Sequence, residues 1–389
     1  MRAFSAFIRR RCGAANIQPA ECSAARDIGL MKALRSLAAA LALSLAVAAP
    51  RPGAAQGAGP TPIPVRVVVV TMFEIGEDRG DQAAEFQLWN ERRDLDTVLE
   101  FAGYHDLHLD SDHGVLVMVT GIGTARSTAS VMMLGMDPRF DLRRAYWLVA
   151  GISGVDPEDA SIGSAAWAEY LVDGDLAHEI DPREMPAEWQ YGYFARYTDE
   201  PFDPERPEPS GEMFRTNPAL TEWAYQLTKD MTLPDFESLE ATRARYTAHP
   251  NAQRPPFVLR GDQLAAMTFW HGRILNDWAN DWVDYWTDGR GNFVTSAMED
   301  TGTMQALEWL TRAGPPDRAR LLVLRSASNY TMPPPGVDAA TNLLAENAGY
   351  AGLEASLESA YRVGSRVVDT LVANWDRFRE RTPTPADLE

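Results

Sequence analysis

Cysteine is almost missing from this 389-residue chain: only Cys12 and Cys22 occur, both close to the N-terminus. Neither a disulfide scaffold nor thiol chemistry is available beyond them. Basic charge is also scarce, with 36 Lys/Arg against 55 Asp/Glu and a net charge of −19, and so acidic a surface excludes nucleic acid as a partner. Long apolar runs are absent with one exception, MKALRSLAAALALSLAVAAPRPGAAQ from Met31. The next, VRVVVVTMF from Val65, is about half the length needed to span a bilayer.

The exception has the layout of a secretory signal peptide: Lys32 and Arg35, an Ala/Leu core, then small residues. Residues 31–55 are therefore read as a signal peptide cleaved after Ala55, with Ala48 or Ala49 as second choice. Residues 1–30 carry Arg9, Arg10 and Arg11 without periodicity and make no sense ahead of an export signal. They are read as an upstream segment not translated in vivo, with Met31 as the true start. Removing residues 1–55 takes away eight Lys/Arg and two Asp/Glu, so the net charge moves from −19 to −25. A periplasmic or secreted protein follows, not itself membrane-spanning, with one domain over residues 60–385.

Within that domain, near-continuous β-branched runs mark buried strands at Val65 to Thr71, Gly114 to Thr120, Tyr146 to Ala150 and Arg320 to Arg325. Helical patterns lie between and after them, at Thr124 to Leu134, from Asn217-Pro218 through Leu227, and from Tyr350 to Phe378. The alternation predicts an α/β fold with a largely parallel sheet covered on both faces. Two stretches, Glu179 to Pro209 and Thr247 to Pro256, read as surface loops. In the segment from Met267 to Gly289, Trp278, Trp282 and Trp286 fall on one helical face and read as core.

Ligands of open α/β sheets bind beyond the carboxyl ends of strands. The segments expected there are FEIGEDRGDQ, TGIGTARSTAS, AGISGVDPEDASIG, AMEDTG and RSASNYT, rich in glycine, hydroxyl and amide groups. None is a strong motif alone. GIGTAR completes neither a P-loop nor GxGxxG, and Ser153 in GISGV lacks the second glycine of a nucleophile elbow. His105, His108 and His113 sit in an acidic loop without metal-ligand spacing and read as solvated; no metal and no cofactor is expected.

Together and in order, AGISGVDPEDASIGSAAWAEYLVDGDLAHEID, GDQLAAMTFWHG, TSAMEDTG and LLVLRSASNYT resemble the purine nucleoside permease family, itself similar to the nucleoside phosphorylase and nucleosidase superfamily. The resemblance implies a three-layer αβα, nucleoside phosphorylase-like fold with a central mixed β-sheet. It places Met298 and Glu299 under a ribose, the carboxylate accepting from the vicinal hydroxyls. It assigns Phe269 and Trp270 to an aromatic wall against a purine, and Ser328 and Asn329 to the purine ring nitrogen. Asn329 donates a hydrogen bond but cannot deliver a proton as an acid does. Asp300 is left as a helix-start or supporting group worth about 1 kcal/mol or less. Glu74 matches, loosely, the carboxylate with which nucleosidases activate water. Gly76, Gly121, Arg126 and Gly151 mark the region for water or phosphate.

The third strand ends in Trp147-Leu148-Val149-Ala150, without the arginine by which phosphorylases of the superfamily hold phosphate. Arg79 and Arg126 are the remaining candidates, so phosphate as a co-substrate stays open. The expected function is binding of a purine nucleoside with cleavage of its N-glycosidic bond, by hydrolysis or phosphorolysis. The alternative is a non-catalytic binding component that delivers nucleoside to a membrane transporter. The resemblance also implies a homodimer or larger homo-oligomer.

Overall fold

Four consecutive valines, Val67 to Val70, suit a strand only if both of its faces are covered. The chain, described here from a computed structural model for residues 61–346 and 348–388, covers both. Val68 and Val70 enter one core and Val67 and Val69 the other. Each buried valine contributes about 1.5 kcal/mol or more from apolar surface removed from water. The upstream segment, signal peptide, cleavage site and both cysteines fall outside the described residues.

Five strands build the centre of a twelve-stranded sheet: β1 (Val67–Thr71), β2 (Val115–Val119), β3 (Tyr146–Val155), β4 (Phe293–Ala297) and β5 (Leu321–Tyr330). β1 runs parallel to β2 and β3, and β3 parallel to β5, while β4 is antiparallel to β3. Antiparallel strands Leu107–Asp110 and Thr97–Leu99 extend the edge beyond β2. The sheet is therefore mixed. On one face helices α2 (Thr124–Gly135) and α4 (Asp300–Ala313) pack through Val131, Leu134, Met304, Leu307 and Leu310. On the other, α5 (Leu353–Ala373) seats Val363, Val367 and Leu371 beside Trp223 of the helix Pro218–Thr228. The result is the expected αβα layering.

Helix α3 (Arg273–Thr287) buries Trp278, Trp282 and Trp286 in a core of their own, as their spacing predicts. The helix Pro218–Thr228 begins at the expected Asn217, whose side chain accepts from the backbone N–H groups of Ala219 and Leu220. The long C-terminal helix spans Leu353–Ala373, and a separate turn follows at Trp375–Phe378. The segment Glu179 to Pro209 is not all loop, because Tyr193–Ala195 pairs with Ala177–Glu179.

The main departure from the sequence expectation lies in β3 and β5. Both continue as strands through segments read as loops, GISGV and SASNY, and stay paired from Leu321↔Trp147 to Tyr330↔Val155. The opposite edge of β3 changes neighbour. Its first half lies beside β1, up to Val149↔Val70, and its end lies beside β4, from Gly154↔Ser296. Among the described residues, no strand lies beside Ala150 to Ser153 on that edge, which leaves a seam in the sheet.

Candidate functional site

The seam exposes backbone polar groups inside the protein, and buried groups of this kind need partners. Glu85 and Arg325 supply them. The Ile152 N–H donates to Glu85 Oε1 at 2.7 Å, and Arg325 Nη1 donates to the Ile152 carbonyl at 3.0 Å. Glu85 Oε2 accepts from the Met72 N–H, just beyond β1, at 2.7 Å. Gly151 has no room for a side chain: a Cβ there would lie 2.0 Å from Met72 Cε and 2.6 Å from Glu85 Oε1. A side chain there would displace Met72, Glu85 and Arg325 Nη1, the last at 2.8 Å.

Arg325 also holds the two acids of the Ala297-Met298-Glu299-Asp300 junction. Its Nη2 donates to Glu299 Oε2 at 2.9 Å and Asp300 Oδ2 at 2.8 Å, and its Nε lies 3.1 Å from Asp300 Oδ1. Asp300 opens α4 fully buried. It is both a helix-start acid and an ion-pair partner of Arg325, the supporting role that the sequence left open. Glu299 Oε1 accepts from the Gly123 N–H at 2.9 Å, where Gly123, at φ 100°, precedes α2. That φ favours glycine. Met298 is half-buried, its carbonyl accepting from Thr124 Oγ1.

One buried guanidinium is thus paired with Glu299 and Asp300 and acts through space on a third carboxyl, Glu85. Burial pushes the Glu85 carboxyl up to about 8, with Glu299 adding to the rise and Arg325 opposing it. Glu299 is raised by burial in the same way, against Arg325 and the Gly123 N–H. Burial works against the Arg325 charge, but Asp300, Glu299 and Glu85 outweigh it and hold the pKa above the usual arginine value.

Glu74 is placed elsewhere. Its two oxygens accept from the N–H groups of Ile75, Ala84, Phe86 and Gln87 at 2.6–3.0 Å, capping the start of α1 (Gln87–Arg92). The carboxylate at the seam is Glu85. Gly76 is an exposed turn residue at φ 75° against Asp81. Gly121 is buried at φ 82°, against Arg126 and Tyr104. Arg79 is turned to Asn90, 2.6 Å from its carbonyl. Arg126 is exposed over the Tyr104 ring and forms no ion pair among the described residues.

Phe269 and Trp270 diverge. Phe269 is 45% exposed and faces Tyr350, the rings nearly parallel at 8° and 6.3 Å between centroids. Trp270 turns instead to the tryptophan core, edge-on to Trp278 at 6.2 Å and beside Phe293 at 6.0 Å. Ser328 and Asn329 lie near the end of β5, where the pairing with β3 slips. Ser328 Oγ is 3.0 Å from Asn329 Oδ1 and 3.1 Å from the Ser153 carbonyl. Both line a cavity of about 160 Å³ with Tyr246, Asn342 and Glu346. Burial raises the Glu346 carboxyl to about 7.

The purine nucleoside permease family matches residues 64–383. The chain belongs to this family. A probable purine nucleoside permease of Schizosaccharomyces pombe is 28% identical over 281 residues, 70% of this chain and 80% of that protein. A purine nucleoside permease of Candida albicans is 28% identical over 280 residues, covering 71% and 68%. Among solved structures, futalosine hydrolase of Helicobacter pylori aligns at 15% identity with a TM-score of 0.48, over 79% of this chain and 98% of that one. Among the described residues of this permease-family chain, no helix is long and apolar enough to cross a membrane.

Two of the site's central residues, Glu85 and Arg325, were not singled out from sequence. Each carried a signal: Arg325 is a charge ending the apolar run Leu321-Leu322-Val323-Leu324, and Glu85 stands between Ala84 and Phe86. A charge embedded in apolar sequence must find a buried partner.

Proposed function

We propose that this protein binds purine nucleosides between Glu299 and Asn329 and hydrolyses their N-glycosidic bond. The observation that carries the reading is Glu85: a buried carboxyl pushed up to about 8, beside the Glu299–Arg325 pair, between the carboxyl end of β1 and the seam of β3. A group titrating near the working pH suits proton transfer. In its ionised form Glu85 takes a proton from water, the water oxygen bonds to the anomeric carbon, and the carbon–nitrogen bond breaks with its electron pair on the base. Asn329 donates to a ring nitrogen of the departing base, which then takes a proton from solvent.

Glu299 is suited to the ribose through Oε1, which keeps an acceptor site after its bond to the Gly123 N–H, while Oε2 is held by Arg325 and the Met298 N–H. Arg325 and Asn329 are four residues apart on β5, about 13 Å at the strand rise, a span for sugar and base together. Phe269 and Tyr350 offer ring faces to the base. Hydrolysis is favoured over phosphorolysis because Arg325 is held by Glu299 and Asp300, and a phosphate dianion beside these two acids is repelled.

A second reading, binding without cleavage for delivery to a membrane transporter, is supported by the amide at Asn329, where an acid would serve catalysis better. Export through the segment at residues 31–55 fits either reading. The test is incubation of purified protein with inosine, guanosine and adenosine, with and without phosphate, and chromatography of the products. Free base without phosphate is the expected result. Base only with phosphate would transfer the reading to phosphorolysis, and binding without any base would leave the carrier.

A further inference from the structure

Away from these acids, the loop that follows β1 and the loop and strand Leu107–Asp110 that precede β2 bring together Asp78, His105 and His108, with one ligand atom from each inside 4.8 Å of the others. His108 is not solvated, as its acidic surroundings in sequence suggested, but 6% exposed. Both imidazoles turn Nε2 toward the same carboxylate: His105 Nε2 is 2.9 Å from Asp78 Oδ1 and His108 Nε2 is 3.6 Å from Asp78 Oδ2.

The far side of His105 fixes what its Nε2 can be. Its Nδ1 lies 2.8 Å from the Asp106 carbonyl, an acceptor, so Nδ1 carries the proton. The Nε2 of the same ring faces the Asp78 carboxylate. A ring N–H held by a backbone carbonyl, with the opposite nitrogen turned to a carboxylate, is the outer-shell arrangement that orients a metal-binding histidine. His108 Nε2 stands beyond hydrogen-bond reach of Asp78, and its buried Nδ1 has no partner. The nearby guanidinium of Arg79 is turned to Asn90.

We infer that Asp78, His105 and His108 form a zinc site. Two imidazole nitrogens and one carboxylate oxygen are a zinc-type donor set, and zinc–nitrogen bonds of about 2.0–2.1 Å place tetrahedral ligand atoms about 3.3 Å apart. Small side-chain rotations bring the three atoms to that spacing. Side-chain exposures of 37% for Asp78 and 23% for His105, against 7% for His108, leave the open side for water as fourth ligand. The ion would join the loop of Asp78 to the loop of His105. Phe86 packs on both imidazoles, with centroids at 5.3 and 4.8 Å, so the clamp bears directly on the residue after Glu85.

The test uses the untagged full chain, stripped with a chelator and titrated with zinc against a chromophoric competitor. Bound zinc is counted by elemental mass spectrometry and stability is followed by thermal melting. One zinc per chain and a raised Tm are expected. Asp78→Asn and His105→Gln each lower zinc affinity by at least about tenfold and abolish the Tm rise. Both side chains are partly exposed, and circular dichroism verifies the fold of each variant. His113→Gln, whose ring pairs with Asp110 instead, leaves zinc binding unchanged. Absence of stoichiometric zinc, or zinc binding equal in wild type and Asp78→Asn, overturns the inference.

Discussion

Arg325 and Asp300 form the most deeply buried ion pair among the described residues, with Nη2 and Oδ2 2.8 Å apart and side chains 1% and 0% exposed. Asp300→Asn leaves the guanidinium in place with less compensating charge, and removing one partner of a buried pair costs about 3–5 kcal/mol. The urea midpoint should fall accordingly. A loss near 1 kcal/mol, as for a simple helix-start acid, would show that the pair does not carry this load.

Glu299→Gln keeps the side-chain shape but loses the charge and replaces one acceptor by a donor. With hydrogen bonds to a charged group worth about 1.5–3 kcal/mol, nucleoside affinity or kcat/KM should drop roughly tenfold to a hundredfold. A 2′,3′-dideoxynucleoside should bind wild type and variant alike, measured well below both melting temperatures. Equal loss for both ligands would place the defect in the fold and sink the ribose assignment.

Glu85 gives stability and catalysis opposite pH trends. Its folded pKa, about 8, lies above its unfolded value of 4.5, so the folded state binds more protons between them. Stability is full below pH 4.5 and declines as pH rises toward 8, by at most about 1.4 kcal/mol per pH unit from this group. Glu346, raised to about 7, adds in the same direction. Activity needs the ionised form and should climb over the same window. Glu85→Gln should flatten the stability slope and abolish the activity rise. An unchanged pH–rate profile in that variant would remove Glu85 from the chemistry.

The neighbouring acid behaves differently. Glu74→Gln weakens the cap of α1 and the loop before it, at a cost of about 0.5–2 kcal/mol. It should leave kcat/KM within a few-fold at temperatures where the protein is folded. Comparing Glu74→Gln with Glu85→Gln by steady-state kinetics distinguishes the two carboxylates, and a larger loss for Glu74 would reverse their roles.

Much of the architecture was legible from local pattern. The β-branched runs gave the central strands and the Trp278, Trp282 and Trp286 spacing gave a buried helix face, because burial on both sides of a sheet or along one stripe writes itself into adjacent residues. The family resemblance marked Glu299 and Asn329 by their motifs. What could not be read was tertiary. That β3 and β5 continue through glycine- and serine-rich segments depends on their pairing with each other. Which of Glu74 and Glu85 reaches the seam depends on how one loop folds back, and the turning of Trp270 toward Trp278 depends on α3.

The seam in β3 makes one amide hydrogen a reporter. In an intact sheet the Ile152 N–H would be held by a neighbouring strand and would exchange with solvent only when that strand opened. Here its partner is the Glu85 side chain. Its exchange with deuterium is coupled to that carboxylate: whatever moves Glu85, whether ligand, proton or a shift of the Asp78 loop, is written into the rate at this one backbone position. The long pairing of β3 with β5 keeps the surrounding amides slow, so the signal stands out against a silent background.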